Sequence, residues 1–234
     1  MFTLGHFIWL GVFALIITIA LILCKKYEVS KEKVNKIVLI IGLVGKIIHI
    51  GLSMIESEKG GMVIKQNQLD FHLCSIQIYL IISVYVIKNK KVTDIIKGFM
   101  VPSMVIGALL ALLIPTEGVD VLRPRVWQYM IIHANLVFYG FYLMLIEKVD
   151  LSFKTYKRNL LFLIIFAYIG LNMNSILAAY GANYLYLRVP PMDNLPILNL
   201  NNGYFVYIIH LISVAILLIT LVHLPFMKKK RFSK

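Results

Sequence analysis

The chain has 234 residues, of which 60% are apolar, and its formal net charge at pH 7 is +13. A water-soluble domain of this length could not bury so much apolar surface. The composition therefore excludes a soluble globular protein and predicts an integral membrane protein.

Seven apolar stretches follow one another along the chain, each long enough to cross about 30 Å of hydrocarbon as a helix. We predict spans at roughly 3–23, 37–55, 71–87, 95–114, 126–146, 160–180 and 203–225. Strand alternation is absent, and a spanning backbone must satisfy its own hydrogen bonds, so helices are expected. The first stretch ends in Cys24-Lys25-Lys26 rather than at a small-residue cleavage site, which indicates a retained helix. The predicted fold class is all-α, with one seven-helix transmembrane domain over residues 1–234.

Most Lys and Arg residues fall on one side of these spans, in the segments after the first, third and fifth spans and in the tail. They are Lys25, Lys26, Lys31, Lys33, Lys36, Lys88, Lys90, Lys91, Lys97, Lys148, Lys154, Lys157, Arg158, Lys228, Lys229, Lys230, Arg231 and Lys234. The positive-inside rule therefore predicts an outer N-terminus and a cytoplasmic C-terminus in a multi-pass cell-membrane protein. The charge is explained by topology and by affinity for anionic lipids, so no nucleic-acid partner is expected.

The two cysteines lie at opposite ends of this predicted bundle. Cys24 falls at the cytoplasmic end of the first span and Cys74 near the outer end of the third. A disulfide needs Cα atoms within about 7 Å, so the two cannot pair within one chain. Cys74 is therefore either a small packing residue or a free, reactive thiol.

Four histidines share the predicted depth of Cys74: His49, His72, His133 and His210. Ionisable groups inside a bilayer are costly and tend to mark function. An imidazole that takes the thiol proton creates the nucleophilic thiolate. We favour His133 as this base over His210 and His49. His72, two residues before Cys74, can meet it only if the helix starts later, because positions i and i+2 do not face one another.

Polar residues recur at helical spacing around these histidines and predict an inward-facing polar layer. The faces are Gly42-Lys46-His49-Ser53, Tyr129-His133-Leu136-Gly140, Tyr168-Asn172-Ser175-Ala179 and Gly203-Tyr207-His210-Ser213. Lys46 and Asn172 on these faces are candidate substrate-binding residues. The alternative is ordinary interhelical hydrogen bonding and close packing of small residues. Ser103, Gly107 and Ala111, which follow Pro102 in the fourth span, predict only a packing seam.

The predicted outer loops supply a candidate headgroup site. It consists of Arg123, Arg125 and Arg188, which are predicted to lie at the membrane–water interface, where lipid phosphates lie. Their guanidinium groups suit bidentate contacts with phosphate. Snorkelling or loop solvation is the alternative. The segment at about 181–202 is too aromatic and apolar for a free linker, so we predict a lid on the outer face.

Four short elements carry a family resemblance. They are His72-Leu73-Cys74, Arg125 followed by His133, Gly181-Ala182-Asn183-Tyr184, and Leu224-Pro225-Phe226. In this order, from about Gly42 to Phe226, they resemble the YwaF-like integral membrane family of bacteria, whose animal branch is described as ether-phospholipid acyltransferases. The resemblance implies a bacterial plasma-membrane enzyme with a Cys74 nucleophile and a His133 partner. It implies acyl transfer from a phospholipid to a lyso-lipid through a thioester.

The expected mechanism needs neither a cofactor nor a metal. We expect His133 to deprotonate Cys74, the thiolate to attack an outer-leaflet phospholipid ester, and Asn172, Tyr184 or His210 to steady the oxyanion. Alternatives are a histidine-dependent lipoprotein acyltransferase, a phospholipase, and a non-enzymatic lipid or small-molecule transporter. A zinc hydrolase using His49, His133 and His210 is disfavoured, because no acidic ligand lies within the layer.

Overall fold

The computed structural model describes residues 3–55, 69–120, 122–192 and 195–227, with side chains of the second helix described to residue 52. This part of the chain is helical and contains no strand, which confirms the predicted all-α class. Its long helices are α1 (Leu4–Lys26), α2 (Lys31–Ile55), α3 (Leu73–Val86), α4 (Lys90–Leu113), α5 (Pro124–Ile146), α6 (Phe153–Ile176) and α7 (Tyr204–Met227).

Six of these helices are long and apolar enough to cross a membrane. The exception is α3, which has 14 residues and is apolar but shorter. At 1.5 Å per residue it is about 21 Å long, short of a hydrocarbon core of about 30 Å. The seven-span count and the orientation of the termini therefore stay predictions.

Local sequence explains where several helices begin. Thr3 caps α1 by accepting a hydrogen bond from the His6 amide, and Asn89 caps α4 by accepting one from Val92. α5 begins at Pro124, whose missing amide hydrogen costs nothing in a first turn. Two π-helical segments interrupt the regular helix: Ser103–Ala108 within α4 and Tyr142–Ile146 at the end of α5. Such segments often accompany functional sites.

The chain divides into two compact units. The first consists of residues 1–64 and 73–149 and contains α1 to α5. The second consists of residues 65–72 and 150–234 and contains α6, α7 and the segment between them. The single-domain interpretation stays a prediction.

In the first unit, α5 contacts each of α1 to α4. Its polar side chains bind α2: the Gln128 amide donates to the Gly45 carbonyl at 3.1 Å and that of Asn135 to the Val38 carbonyl at 3.1 Å. Tyr139 donates to Asn35 Oδ1 at 2.8 Å. Such pairing removes the cost of burying these polar groups. The predicted inward face of α5 is confirmed, since His133, Leu136 and Gly140 are buried and Tyr129 is half-buried.

Two histidines outside the predicted site have structural hydrogen bonds. In the first unit, His6 Nε2 donates to the Leu112 carbonyl at 2.9 Å. In the second, fully buried His223 donates from Nδ1 to the Leu151 carbonyl at 2.9 Å and accepts from Asn159 at Nε2 at 3.0 Å. These bonds satisfy both ring nitrogens of His223 and the Nε2 atom of His6, which indicates structural roles for the two histidines.

Candidate functional site

Cys74 lies in the first turn of α3, half-buried, with its sulfur facing α4. A Cβ added to Gly107 would lie 3.6 Å from the Cys74 Sγ atom. The glycine therefore leaves open space directly beside the sulfur. Cys24 and Cys74 are both free thiols.

The side of α4 that we predicted to be only a packing seam forms one wall around this thiol. Gly107 belongs to the π-helical segment Ser103–Ala108. One turn earlier, Ser103 Oγ accepts a hydrogen bond from Gln77 Nε2 on α3 at 2.9 Å. One turn later, the Ala111 carbonyl accepts from the Tyr129 hydroxyl on α5 at 3.2 Å. This side of α4 therefore binds α3 through Ser103, one turn before Gly107, and α5 through Ala111, one turn after it.

His133 lies on the buried face of α5, and its ring is held by the preceding turn. Its Nδ1 atom donates to the Tyr129 carbonyl at 2.7 Å, and the Tyr129 ring lies 4.1 Å from the imidazole, centroid to centroid. Because a carbonyl only accepts, the proton is on Nδ1 and the lone pair is on Nε2. Within the described residues Nε2 makes no hydrogen bond. A neutral imidazole with an open Nε2 is the form that a general base requires.

Contacts between α4 and α5 indicate the level of His133 relative to that of Cys74 in the first unit. Along α4, Ala111 pairs with Tyr129, whereas Val105 lies against Gly140. His133 falls between these two contacts on α5, level with Gly107, which faces Cys74. No hydrogen bond joins the two: in the described part of the chain, the Cys74 sulfur makes none. Catalytic hydrogen bonds are often longer before substrate binds.

Lys46 and His49 lie on α2, which borders the same region. A Cβ on Gly42 would come within 2.5 Å of Ile78 in α3, and one on Gly45 within 1.9 Å of Ile132 in α5. α2 therefore packs tightly against both helices that carry the candidate pair. The side chains of Lys46 and His49 are half-buried, and their proposed roles stay predictions. The side chain of Ser53, on the same predicted face, lies outside the described residues.

In the second unit, His72 precedes α3, which starts at Leu73, and packs against aromatic rings. Its ring centroid lies 5.6 Å from that of Tyr184 and 5.4 Å from that of Tyr186. Tyr184 is fully buried, and its backbone exchanges two hydrogen bonds with the Asn174 amide, at 2.6 and 3.0 Å. Burial raises the pKa of the Tyr184 hydroxyl, against a lowering by a hydrogen bond with the Leu69 backbone. Tyr184 is thus an anchor for the loop.

The predicted inward face of the sixth span is wrong. Tyr168, Asn172 and Ser175 are exposed, and the Asn172 amide donates to the Tyr168 carbonyl of its own helix at 2.7 Å. The buried face carries Gly170 and Asn174 instead, together with Asn159 and Phe166. Gly170 packs closely there: an added Cβ would lie 3.2 Å from Leu185 and 3.3 Å from Leu187, tighter than an ordinary contact. These contacts do not support the oxyanion role predicted for Asn172 and Tyr184.

The segment predicted to be a lid is a packed cap on the second unit in its described part. Leu185 and Tyr186 both adopt positive φ, a conformation that costs free energy in residues other than glycine. Two tyrosines of α7 hold this turn: Tyr207 donates to the Tyr186 carbonyl, and Tyr204 donates to the Leu187 carbonyl at 2.7 Å. His210 also binds this segment, donating from Nδ1 to the Ile197 carbonyl at 3.1 Å.

The three candidate headgroup arginines have different surroundings. Arg123 is exposed immediately before α5, whereas Arg125 is buried in the first turn, with 5% exposure. Arg188 is exposed, and its Nη1 atom donates to the Ala182 carbonyl at 3.1 Å and to that of Ala178 at 3.5 Å. Arg188 therefore binds the carbonyls that follow α6, as basic side chains often do at helix ends. Phosphate binding by the three stays a prediction.

Within the described ranges, no group of three or more His, Cys, Asp or Glu side chains is arranged to hold a metal ion. The residue that sequence reasoning missed is Gln77, fully buried one turn after Cys74. Its signal was a polar amide within an apolar helix, at spacing i+3 from the candidate nucleophile.

Comparison with known proteins identifies the family of this chain. Residues 1–223 match the family model described as the TMEM164 family. The chain belongs to the TMEM164 family. No curated protein and no solved structure matches it. The TMEM164 match identifies a membrane-protein family over nearly the whole chain, and the apolar helices agree with a multi-pass membrane protein.

Proposed function

We propose that this protein is a membrane lipid acyltransferase that moves a fatty acyl group from a phospholipid to a lyso-lipid through a thioester on Cys74. The observation that carries the proposal is the arrangement in the first unit. Cys74 lies beside Gly107 of α4, and α5, which carries His133, contacts α4 on both sides of that level, at Val105 and Ala111. The Nδ1 atom of His133 is committed to the Tyr129 carbonyl. That arrangement suits a nucleophile and its base. The resemblance to the YwaF-like family and its ether-phospholipid acyltransferase branch agrees with it.

The first half-reaction transfers the acyl group to the enzyme. His133 Nε2 takes the Cys74 thiol proton, and the thiolate attacks the carbonyl carbon of a phospholipid ester. The ester C–O bond then breaks, and the departing alkoxide takes the proton from His133. The products are a thioester on Cys74 and a lyso-phospholipid. The open space beside Gly107 is where the ester carbonyl approaches the sulfur.

The second half-reaction reverses these roles. A lyso-lipid hydroxyl gives its proton to His133 Nε2 as its oxygen attacks the thioester carbonyl. The C–S bond breaks, and the thiolate recovers the proton from the imidazolium. If water attacks instead, the same steps release a fatty acid, so phospholipase activity is a branch of this mechanism. With seven spans and an outer N-terminus, Cys74 lies near the outer leaflet of a bacterial plasma membrane, away from cytosolic acyl donors.

The direct test is the mass of the intact protein after incubation with a phospholipid of defined acyl chains. We expect a mass gain equal to one acyl group, mapped to Cys74 and removed by hydroxylamine. Cys24→Ala is the matched control and keeps the adduct, whereas Cys74→Ala loses both the adduct and acyl transfer. A folded Cys74→Ala protein that retains full transfer contradicts the covalent mechanism. Transfer of the acyl group to a lipopeptide amine but not to a lyso-lipid favours lipoprotein acylation.

A further inference from the structure

The side-chain amide of Gln77 lies beside Cys74, although its Cα is almost a turn further along α3. Its Nε2 atom donates to the Leu73 carbonyl at 2.9 Å and to Ser103 Oγ at 2.9 Å. Helical side chains lean toward the N-terminus of their helix, which carries this amide back to the level of residues 73 and 74. Ser103 lies one turn from Gly107, on the face of α4 that is turned toward α3 and Cys74. The amide and the sulfur therefore lie in the same α3–α4 interface.

The other end of this amide has no hydrogen-bond partner. Gln77 is fully buried, and no donor in the described part of the chain reaches its Oε1 atom. The amide orientation is fixed, because Leu73 offers a carbonyl that only accepts, so Nε2 must face it. Leaving a buried acceptor unsatisfied costs roughly 1–3 kcal/mol, so such groups call for an explanation. Next to a candidate nucleophile, a substrate can supply the missing donor.

We infer that Gln77 Oε1 receives a hydrogen from the nucleophile that discharges the thioester, and so favours nucleophiles with two hydrogens on the attacking atom: a primary amine or water. This inference rests on the proposed thioester at Cys74. A hydroxyl has one hydrogen, which it must give to His133 Nε2. An amine or water can give one hydrogen to His133 and share the other with Gln77 Oε1. The site would thereby have an N-acylating or hydrolytic activity in addition to transfer to a hydroxyl.

Aminolysis of the thioester uses both N–H groups of the amine. The nitrogen of the neutral amine attacks the thioester carbonyl carbon, and one N–H proton passes to His133 Nε2. The second N–H stays hydrogen-bonded to Gln77 Oε1 in the tetrahedral intermediate. The C–S bond breaks, the thiolate takes the proton from His133, and the products are an amide and the free thiol. With water the product is a fatty acid.

The test compares three nucleophiles on the pre-formed acyl-Cys74 protein. They are a lyso-lipid with a free sn-2 hydroxyl, its 2-amino-2-deoxy analogue, and water alone. In Gln77→Met we expect discharge by the amine and by water to fall about 3- to 10-fold relative to the hydroxyl, the scale of one lost neutral hydrogen bond. Formation of the thioester should be unchanged. The amine and water arms separate the two sources of the second hydrogen.

Two further variants separate this role from a structural one. Ser103→Ala removes a partner of Nε2 but keeps Oε1, so the amine-to-hydroxyl ratio should stay at its original value. Gln77→Glu keeps an acceptor oxygen and should keep the ratio even if the helix contact weakens. An equal loss for all three nucleophiles, or no change in the ratio, overturns the role of Gln77 while leaving the thioester intact. Absence of any acyl adduct in the unaltered protein rejects the proposed function and this inference with it.

Discussion

At the scale of single residues, the candidate nucleophile Cys74 lies beside Gly107, and Ser103 holds Gln77 in the same α3–α4 interface. Cys74 and His133 stand out because a thiol and an imidazole are rare and costly inside a bilayer. Gly107 and Ser103 do not stand out, because small residues pack helices in any membrane protein. Only coordinates show that Gly107 lies beside the sulfur and that Ser103 holds Gln77.

Gly107→Ala tests whether the space beside the sulfur is used. The added methyl would lie 3.6 Å from Cys74 Sγ, an ordinary packing distance, so the fold should be retained. The methyl fills the approach of the ester carbonyl, and we expect thioester formation to slow by about 10-fold, as small displacements of reacting groups do. The measurement is the rate of acyl-Cys74 formation by intact mass, beside the thermal unfolding temperature.

Gly11→Ala is the matched control, because a Cβ there meets nothing within 4 Å. Both changes replace a helical glycine by alanine and raise helix propensity equally. If both proteins form the thioester at the rate of the unaltered chain, the space beside Cys74 plays no part in the reaction.

At the scale of helices, the hydropathy pattern located every long helix but missed where three of them begin. α2 begins at Lys31, α4 at Lys90 and α6 at Phe153, each several residues before the predicted span. Hydropathy detects only the apolar part of a helix, whereas backbone hydrogen bonds continue into the polar ends. The face of α6 was wrong for a related reason. Asn172 and Asn174 are both polar residues of α6, and the sequence does not show which of them is buried. Contacts between Asn174 and Tyr184, in the loop after α6, decide it.

Close packing of α2 on α5 depends on the absence of a side chain at Gly45. A Cβ there would lie 1.9 Å from Ile132 Cδ1, too close for both atoms to remain. Overpacking typically costs about 1–3 kcal/mol, so Gly45→Ala should lower the free energy of unfolding by that amount. In the Ile132→Ala background the obstructing atoms are gone, and the same change should be nearly neutral. A double-mutant cycle on purified protein in detergent measures this coupling. Equal losses in both backgrounds would refute the contact.

A buried ion pair joins α4 to the end of α5, and its two lysines should differ in importance. Lys97 and Lys31 approach the same Glu147 oxygen, at 2.5 and 3.5 Å. The Lys97 side chain is 10% exposed and that of Lys31 is 64% exposed. Removing a buried partner strands a charge and costs about 3–5 kcal/mol, whereas exposed pairs contribute at most about 1 kcal/mol.

Lys97→Met should therefore unfold far more easily than Lys31→Met, although both remove one positive charge. Chemical unfolding in detergent, followed by circular dichroism, compares the two variants directly. Restoring stability with Lys97→Met combined with Glu147→Leu would show that the stranded carboxylate is the cause. Similar losses for the two lysine variants would mean that Glu147 is solvated at this position.

At the scale of the whole molecule, composition alone predicts a membrane protein, and six long apolar helices agree with it. The argument that α3 crosses the membrane comes from charge rather than length. If α3 did not cross, Lys88, Lys90 and Lys91 would lie on the side opposite Lys25 and Lys26, against the positive-inside rule. A helix of 14 residues can cross if the bilayer thins locally, which costs only a fraction of a kcal/mol per Å of mismatch.

Whether the number of spans is odd or even can be tested without measuring activity. Seven spans place the termini on opposite sides of the membrane, whereas six place them on the same side. A green fluorescent protein fused to the C-terminus should fluoresce, and alkaline phosphatase at the same site should be inactive, because the tail is predicted to be cytoplasmic. Phosphatase fused after Leu113 should be active, since four spans from an outer N-terminus end outside. An epitope at the N-terminus should be accessible from outside intact cells. Termini found on the same side would show that α3 does not cross, and Cys74 would then have to reach lipid from a helix that enters the membrane and does not leave it.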